Sequence, residues 1–199
     1  RPSLPSSSVS MRAYSALPVG IKALETALSL TLAGIGSGLE AAKLDQFRAE
    51  CRRNAEQLET AGALGFANGY GRGPGRVAFE VKDPRGYQEF FDALARHDAK
   101  GSAFTMRNFQ GGRPPLYEFE SAIKRVNSPT LIIVGDEDDA CIESSLYLKK
   151  HIAPSGLMMF PKTGHVLNLE EASLFNSAVE RFIALAEAGR WGPRDPRSI

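Results

Sequence analysis

The chain has 199 residues, 43% hydrophobic and 24% charged, which excludes a disordered composition and allows one domain or one domain with an insertion. Its 24 Lys and Arg against 23 Asp and Glu leave a net charge of +1, so nothing calls for nucleic acid or another polyanion as partner. No run approaches the ~20 apolar residues of a membrane span, and the Arg1-Pro2-Ser3-Leu4 start lacks the apolar core of a signal peptide.

Residues 4–8 are Ser-rich, lie among prolines and contain no β-branched residue, which argues against a central strand. Met11 to Leu24 reads as a helix, with a kink expected at Pro18. Ala27 to Gly34 reads as a strand, and Gly34-Ile35-Gly36-Ser37-Gly38 as a turn leaving it. That turn lacks the glycine spacing and following helix of a phosphate-binding loop.

Leu44, Phe47, Cys51, Ala55 and Leu58 recur at helical spacing among charged residues, giving an amphipathic helix. Gly69 to Gly75 breaks it. A second helix, Gly86 to Ala99, turns Phe90, Phe91, Leu94 and Ala95 inward, and a shorter third runs from Ala103 to Phe109. Tyr117 to Val126 leads back to Pro129.

Thr130 to Val134 is an apolar, β-branched run, as in a buried parallel strand. It ends in a loop with Asp136, Glu137, Asp138 and Asp139. Ile142, Leu146 (with Leu148) and Ile152 place a crossover helix over Cys141 to Ile152, and a second short strand, Leu157 to Phe160, leads into Gly164-His165. Leu174, Phe175, Ala178, Phe182 and Leu185 then form the apolar stripe of a helix packed on the sheet, within Leu169 to Leu185. Cys51 and Cys141 have neither disulfide-framework nor metal-ligand spacing; they read as small buried residues in a reducing, cytoplasmic setting. His97 reads as part of a solvated helix end, and His151 as a cation at a helix C-terminus.

An acid and then a histidine, each just past the carboxyl end of a strand, stand where an open α/β sheet places reactive groups. The pattern resembles the C-terminal half of the α/β-hydrolase fold, whose triad runs Ser, acid, His along the chain. The resemblance implies an α/β class, a partial and mostly parallel hydrolase sheet with an inserted helical lid. Residues 1–38 would be the nucleophile region, 39–127 the lid, and 128–199 the core carrying acid and histidine. The strands before the nucleophile would be missing.

Spacing alone does not choose among the four carboxylates; the family pattern selects Asp138, with Asp136 as runner-up, and makes His165 the base. Aligned the same way, Ser8-Val9-Ser10-Met11-Arg12 falls on the nucleophile elbow, with Ser10 as nucleophile and the Met11 N–H as an oxyanion donor. Ser8 and Arg12 stand where the pattern has glycines. Arg12 is expected to point into the strand–helix contact and open the turn. Phe104, Met106 and Phe109 are candidates for the substrate pocket, with plain helix packing as their alternative. The function implied is hydrolysis of carboxylic-ester-like bonds in small molecules, without cofactor or metal. The competing reading is a truncated or decayed hydrolase acting as a self-associating module, and in either case a homo-oligomer is expected.

Overall fold

The computed structural model describes residues 4–22, 27–36 and 41–198; the expected helix end at Leu24 and the turn residues Ser37 and Gly38 lie outside them. In chain order the elements begin β1 (Leu4–Val9), α1 (Met11–Lys22), β2 (Ala27–Ala33), α2 (Ala41–Tyr70), α3 (Val77–Lys82), α4 (Pro84–Ala95), α5 (Ala99–Phe104) and α6 (Glu120–Ile123). They continue with β3 (Thr130–Gly135), α7 (Asp139–His151), β4 (Ser155–Phe160), α8 (Leu167–Glu170) and α9 (Ala172–Glu187). The chain divides into two compact units, Arg1–Gly36 with Glu118–Ile199, and Ser37–Tyr117. Where the sequence reading carries the inserted segment to residue 127, the second unit ends at Tyr117, and α6 packs with α1 and α7 of the first.

The first unit is built on a four-stranded sheet in the order β1-β2-β3-β4, every pair parallel. All six residues of β3 are buried, as its unbroken apolar run requires of a strand covered on both faces. Residues 4–8 do form a strand, β1, which lies at the outside of this sheet and not at its centre. Its serines pair along β2, from Ser6 opposite Leu30 to Val9 opposite Ala33. As an outer strand of this sheet it tolerates the missing N–H of Pro5, and a register shift between Leu4 and Pro5 absorbs the irregularity. Backbone pairing to a buried neighbour thus outweighs poor side-chain propensity.

Two helices keep only part of their expected stripes: Leu148, Ile152, Phe175 and Phe182 are buried, and Leu146 and Leu174 are not. On α7 the buried face is Cys141, Ser144, Ser145 and Leu148, while Leu146 is 50% exposed. On α9 Phe175 and Phe182 are buried, but Leu174 is 38% exposed. The core on the α9 side joins Ala33, Leu131, Ile133, Phe160, Leu167, Phe175 and Phe182. α1 runs on through Pro18 to Lys22 as one element.

In the second unit α2 is broken at Gly62, whose φ of 70° and ψ of −176° only glycine adopts readily. Ala55, Leu58, Phe66 and Ala103 form its core, with Met106 packed against them. Asp83 and Asp98 cap α4 and α5 by accepting the N–H groups of Gly86 and Gly101. The sequence reading missed α3, whose Phe79 is buried edge-on against Tyr87.

Candidate active site

Ser10 follows β1 directly and adopts a left-handed φ of 56°. For a residue with a side chain that costs roughly 1–2 kcal/mol, so the flanks must hold it. Its N–H donates to the Ala33 carbonyl of β2 at 2.8 Å, and its own carbonyl accepts the Ala13 N–H at 2.9 Å to start α1. The serine is therefore a sharp strand-to-helix turn with both sides anchored.

Arg12 does not enter the strand–helix contact. Ala13, Tyr14, Ala16 and Leu17 take the buried face of α1, and Arg12, about 100° round the helix from Ala13, is exposed. The small residue that a close packing needs is Ala13, 0% exposed, one position later than the glycine pattern suggests.

The acid loop is sewn to the histidine loop by backbone. Asp136 N–H donates to the Phe160 carbonyl and Glu137 N–H to the Thr163 carbonyl, each at 3.0 Å. Gly135 makes this possible, since a Cβ there would collide with the carbonyl oxygens of Thr163 and Gly164. The four carboxylates then separate by position. Asp136 Oδ1 accepts the Thr163 N–H at 3.2 Å, Glu137 faces Lys162 at 3.6 Å, and Asp139 is exposed in the first turn of α7. Asp138, 4% exposed, places Oδ2 2.8 Å from Nδ1 of His165.

Nε2 of the same ring lies 2.8 Å from the Ser10 hydroxyl oxygen. With the ring proton on Nδ1, His165 donates to Asp138 and accepts from Ser10. The structure thus brings Ser10, His165 and Asp138 into one hydrogen-bonded line, all within the first unit. The Met11 N–H sits in the first turn of α1, where helical N–H groups have no partner within the helix.

Two further residues, Glu170 and Cys141, belong to this site without having been assigned to it from the sequence. Glu170, brought round by α8, accepts the Gly164 N–H at 2.9 Å and so pins the residue before His165. A carboxylate five positions after the histidine in a short helical turn is the signal that could have found it. Cys141, 1% exposed, lies with Sγ 3.6 Å from Nδ1 of His165 and 3.4 Å from the Gly34 carbonyl. Burial agrees with the small-residue reading, but the contact with the imidazole is additional. Asp138, Cys141 and His165 bring one ligand-type atom each within 4.8 Å of one another; a cation there would have to break the Asp138–His165 hydrogen bond. Of the pocket candidates, Phe104 and Phe109 are 69% and 39% exposed in the second unit, while Met106 packs on that unit's own core.

No family model and no curated protein sequence matches the chain. Solved structures do. MenH from S. aureus superposes with a TM-score of 0.84 at 20% identity, over 93% of this chain and 69% of that one. A thermophilic esterase from Thermogutta terrifontis gives 0.76 at 18% identity, over 90% of this chain and 64% of that one. The enol-lactonase from Burkholderia xenovorans LB400 gives 0.73 at 16% identity, over 89% and 64%. The chain has the α/β-hydrolase fold.

Its four parallel strands are a partial hydrolase sheet, and the chain spans under two thirds of the latter two neighbours. In this hydrolase-fold chain β1, β3 and β4 each end at a member of the hydrogen-bonded line or at the loop carrying it. No helix among the described residues is long and apolar enough to cross a membrane.

Proposed function

We propose that this chain is a serine hydrolase acting on carboxylic-ester-like bonds, with Ser10 as nucleophile, His165 as general base and Asp138 as its partner. The observation that carries the reading is the Ser10–His165–Asp138 line, 2.8 Å at each step, built on a serine held at positive φ. Strained backbone of this kind clusters where a side chain must be presented at a fixed angle. The neighbours named as an esterase and an enol-lactonase support the choice of bond.

In this mechanism Ser10 Oγ attacks the ester carbonyl carbon while Nε2 of His165 takes the hydroxyl proton. The imidazolium is stabilised through Nδ1–H by Asp138, whose burial strengthens that interaction. The Met11 N–H, with the N-terminal end of α1 behind it, faces the developing oxyanion. His165 then gives its proton to the leaving alcohol, the acyl group stays on Ser10, and a water activated by Nε2 releases the acid. No step needs a redox partner.

The test is labelling with a fluorophosphonate, read by intact mass, beside hydrolysis of p-nitrophenyl acetate. A single adduct on Ser10, lost in Ser10→Ala and His165→Ala, is the expected result. A folded wild-type chain that neither labels nor hydrolyses would overturn the reading. It would favour the self-associating module, for which β1, paired on one side only among the described residues, supplies a strand edge.

A further inference from the structure

The helix α9 carries more apolar surface than the core takes up. Phe175 and Phe182 are buried, yet Leu174, Ser177, Ala178, Arg181 and Phe182, spaced three and four apart, line one wall of a groove of about 400 Å³. Its floor is the sheet face of Leu131, Gly156 and Met158, since Leu131 pairs with Gly156 and Ile133 with Met158. That volume lies within the ~300–1,000 Å³ usual for small-molecule pockets.

The end wall is a constructed feature. The Trp191 indole lies so close to β4 that a Cβ at Gly156 would overlap its ring. Its Nε1–H donates to the Pro154 carbonyl at 3.1 Å, and the ring meets Phe182 edge-on at 4.7 Å. Glycine, indole and hydrogen bond together hold the wall in one place.

Among the described residues the lining is apolar apart from Ser177 and Arg181, with Arg181 its one charged group and no acid in the lining. We propose that this groove binds an aliphatic carboxylate, the chain lying along Leu174, Ala178 and Phe182 and the head group at Arg181. An apolar trough with a single cation at its edge complements that amphiphile and disfavours a cationic one. The site is separate from Ser10. Leu131 lies four residues before the carboxyl end of β3, about 13 Å along the strand, whereas Asp138 lies beyond that end.

The sole tryptophan of the chain is the groove wall, so its fluorescence reports on the site directly. The full chain is titrated with decanoate below its micelle concentration, with decyltrimethylammonium as the opposite charge on the same tail. The expected result is a saturable change with decanoate and a weaker one with the cation. Arg181→Gln, on the exposed side of α9, weakens decanoate by about three- to fivefold, more at low salt. Ala178→Phe, filling the trough, removes the response while circular dichroism stays native; if that variant unfolds, Arg181→Gln decides. No saturable change, equal response to both amphiphiles, or unaltered binding in Arg181→Gln overturns the proposal. So does a dimer, seen by light scattering, that decanoate does not dissociate and that buries Trp191.

Discussion

Asp136 and Asp138 leave the same strand two residues apart, yet Asp136 holds the Thr163 backbone N–H at 3.2 Å while Asp138 holds the His165 ring at 2.8 Å. One carboxylate positions the loop and the other orients the His165 imidazole. Asp138→Asn, which favours the wrong ring tautomer, should lower kcat for p-nitrophenyl acetate by roughly 10³–10⁴-fold with little change in thermal unfolding. Asp136→Ala should do the reverse in proportion, losing about 1 kcal/mol of stability and about tenfold in kcat. Equal kinetic losses in the two variants would mean that the acid has been assigned to the wrong residue.

Cys141 fills the space between the Gly34 carbonyl and the imidazole, and Gly36 is close enough that a Cβ there would press on its sulfur. Enlarging it should be worse than shrinking it. Cys141→Ala is expected to cost about 1 kcal/mol in unfolding free energy. Cys141→Leu should displace the ring and reduce kcat by ~10²-fold, the scale of a 1 Å misplacement. Indistinguishable rates in both variants would show that the sulfur leaves the ring position unaffected. In the native protein neither Cys141 nor Cys51 should react promptly with an aromatic disulfide; burial also pushes the Cys51 thiol up from its ordinary value.

Arg12→Gly should change ester hydrolysis by less than about threefold, because the guanidinium is exposed and Ala13 already takes the close approach. A large gain in rate would mean that the turn at Ser10 is strained open by Arg12 in solution.

Glu120 accepts from Lys124 Nζ at 2.5 Å and from the Tyr147 hydroxyl at 3.2 Å, joining α6 to α7. The Lys124 hydrogen bond, its charge, and the tyrosine hold the Glu120 carboxyl below the usual glutamate range. Its contribution to stability is therefore complete above the unfolded value of about 4.3 and is lost as pH falls through the lower folded value. Glu120→Gln should flatten that acid limb in urea unfolding measured from about pH 5 downward, through the unfolded value of about 4.3 and below it. Burial, with Glu120 beside it, raises the Tyr147 phenol, so the tyrosine's share is present below about pH 10 and fades as pH rises through its folded value. An acid limb identical in wild type and Glu120→Gln would remove this linkage.

The buried run Thr130 to Val134 and the Gly164-His165 pair were legible because each is a local signal: an apolar strand between punctuating residues, and a histidine past a strand end. Residue choice within the acid loop was not local. Spacing cannot tell Asp136 from Asp138, and what separates them is backbone bonding to a loop 27 residues away. The strand at residues 4–9 was illegible for a related reason, since its serines carry little propensity and the pairing partner β2 supplies the order. Leu146 and Leu174 are apolar yet exposed, so apolar identity does not mark burial there, whereas Ser144 and Ser145 give α7 its close face. The role of Cys141 depends on contacts with Gly34 and His165 that no spacing encodes.

β2 and β3 are neighbours in the sheet, Leu30 opposite Thr130, although the whole unit Ser37–Tyr117 lies between them in sequence. The entropy of closing such a connection grows only with the logarithm of its length, each doubling costing about 0.6 kcal/mol. An intervening segment half as long or twice as long would therefore alter the closure term by less than one ordinary hydrogen bond. Ser10, Asp138 and His165 all belong to the other unit. The junction between β2 and β3 is thus a port at which an ancestral gene could exchange one guest for another of different size and leave the three-residue line in place.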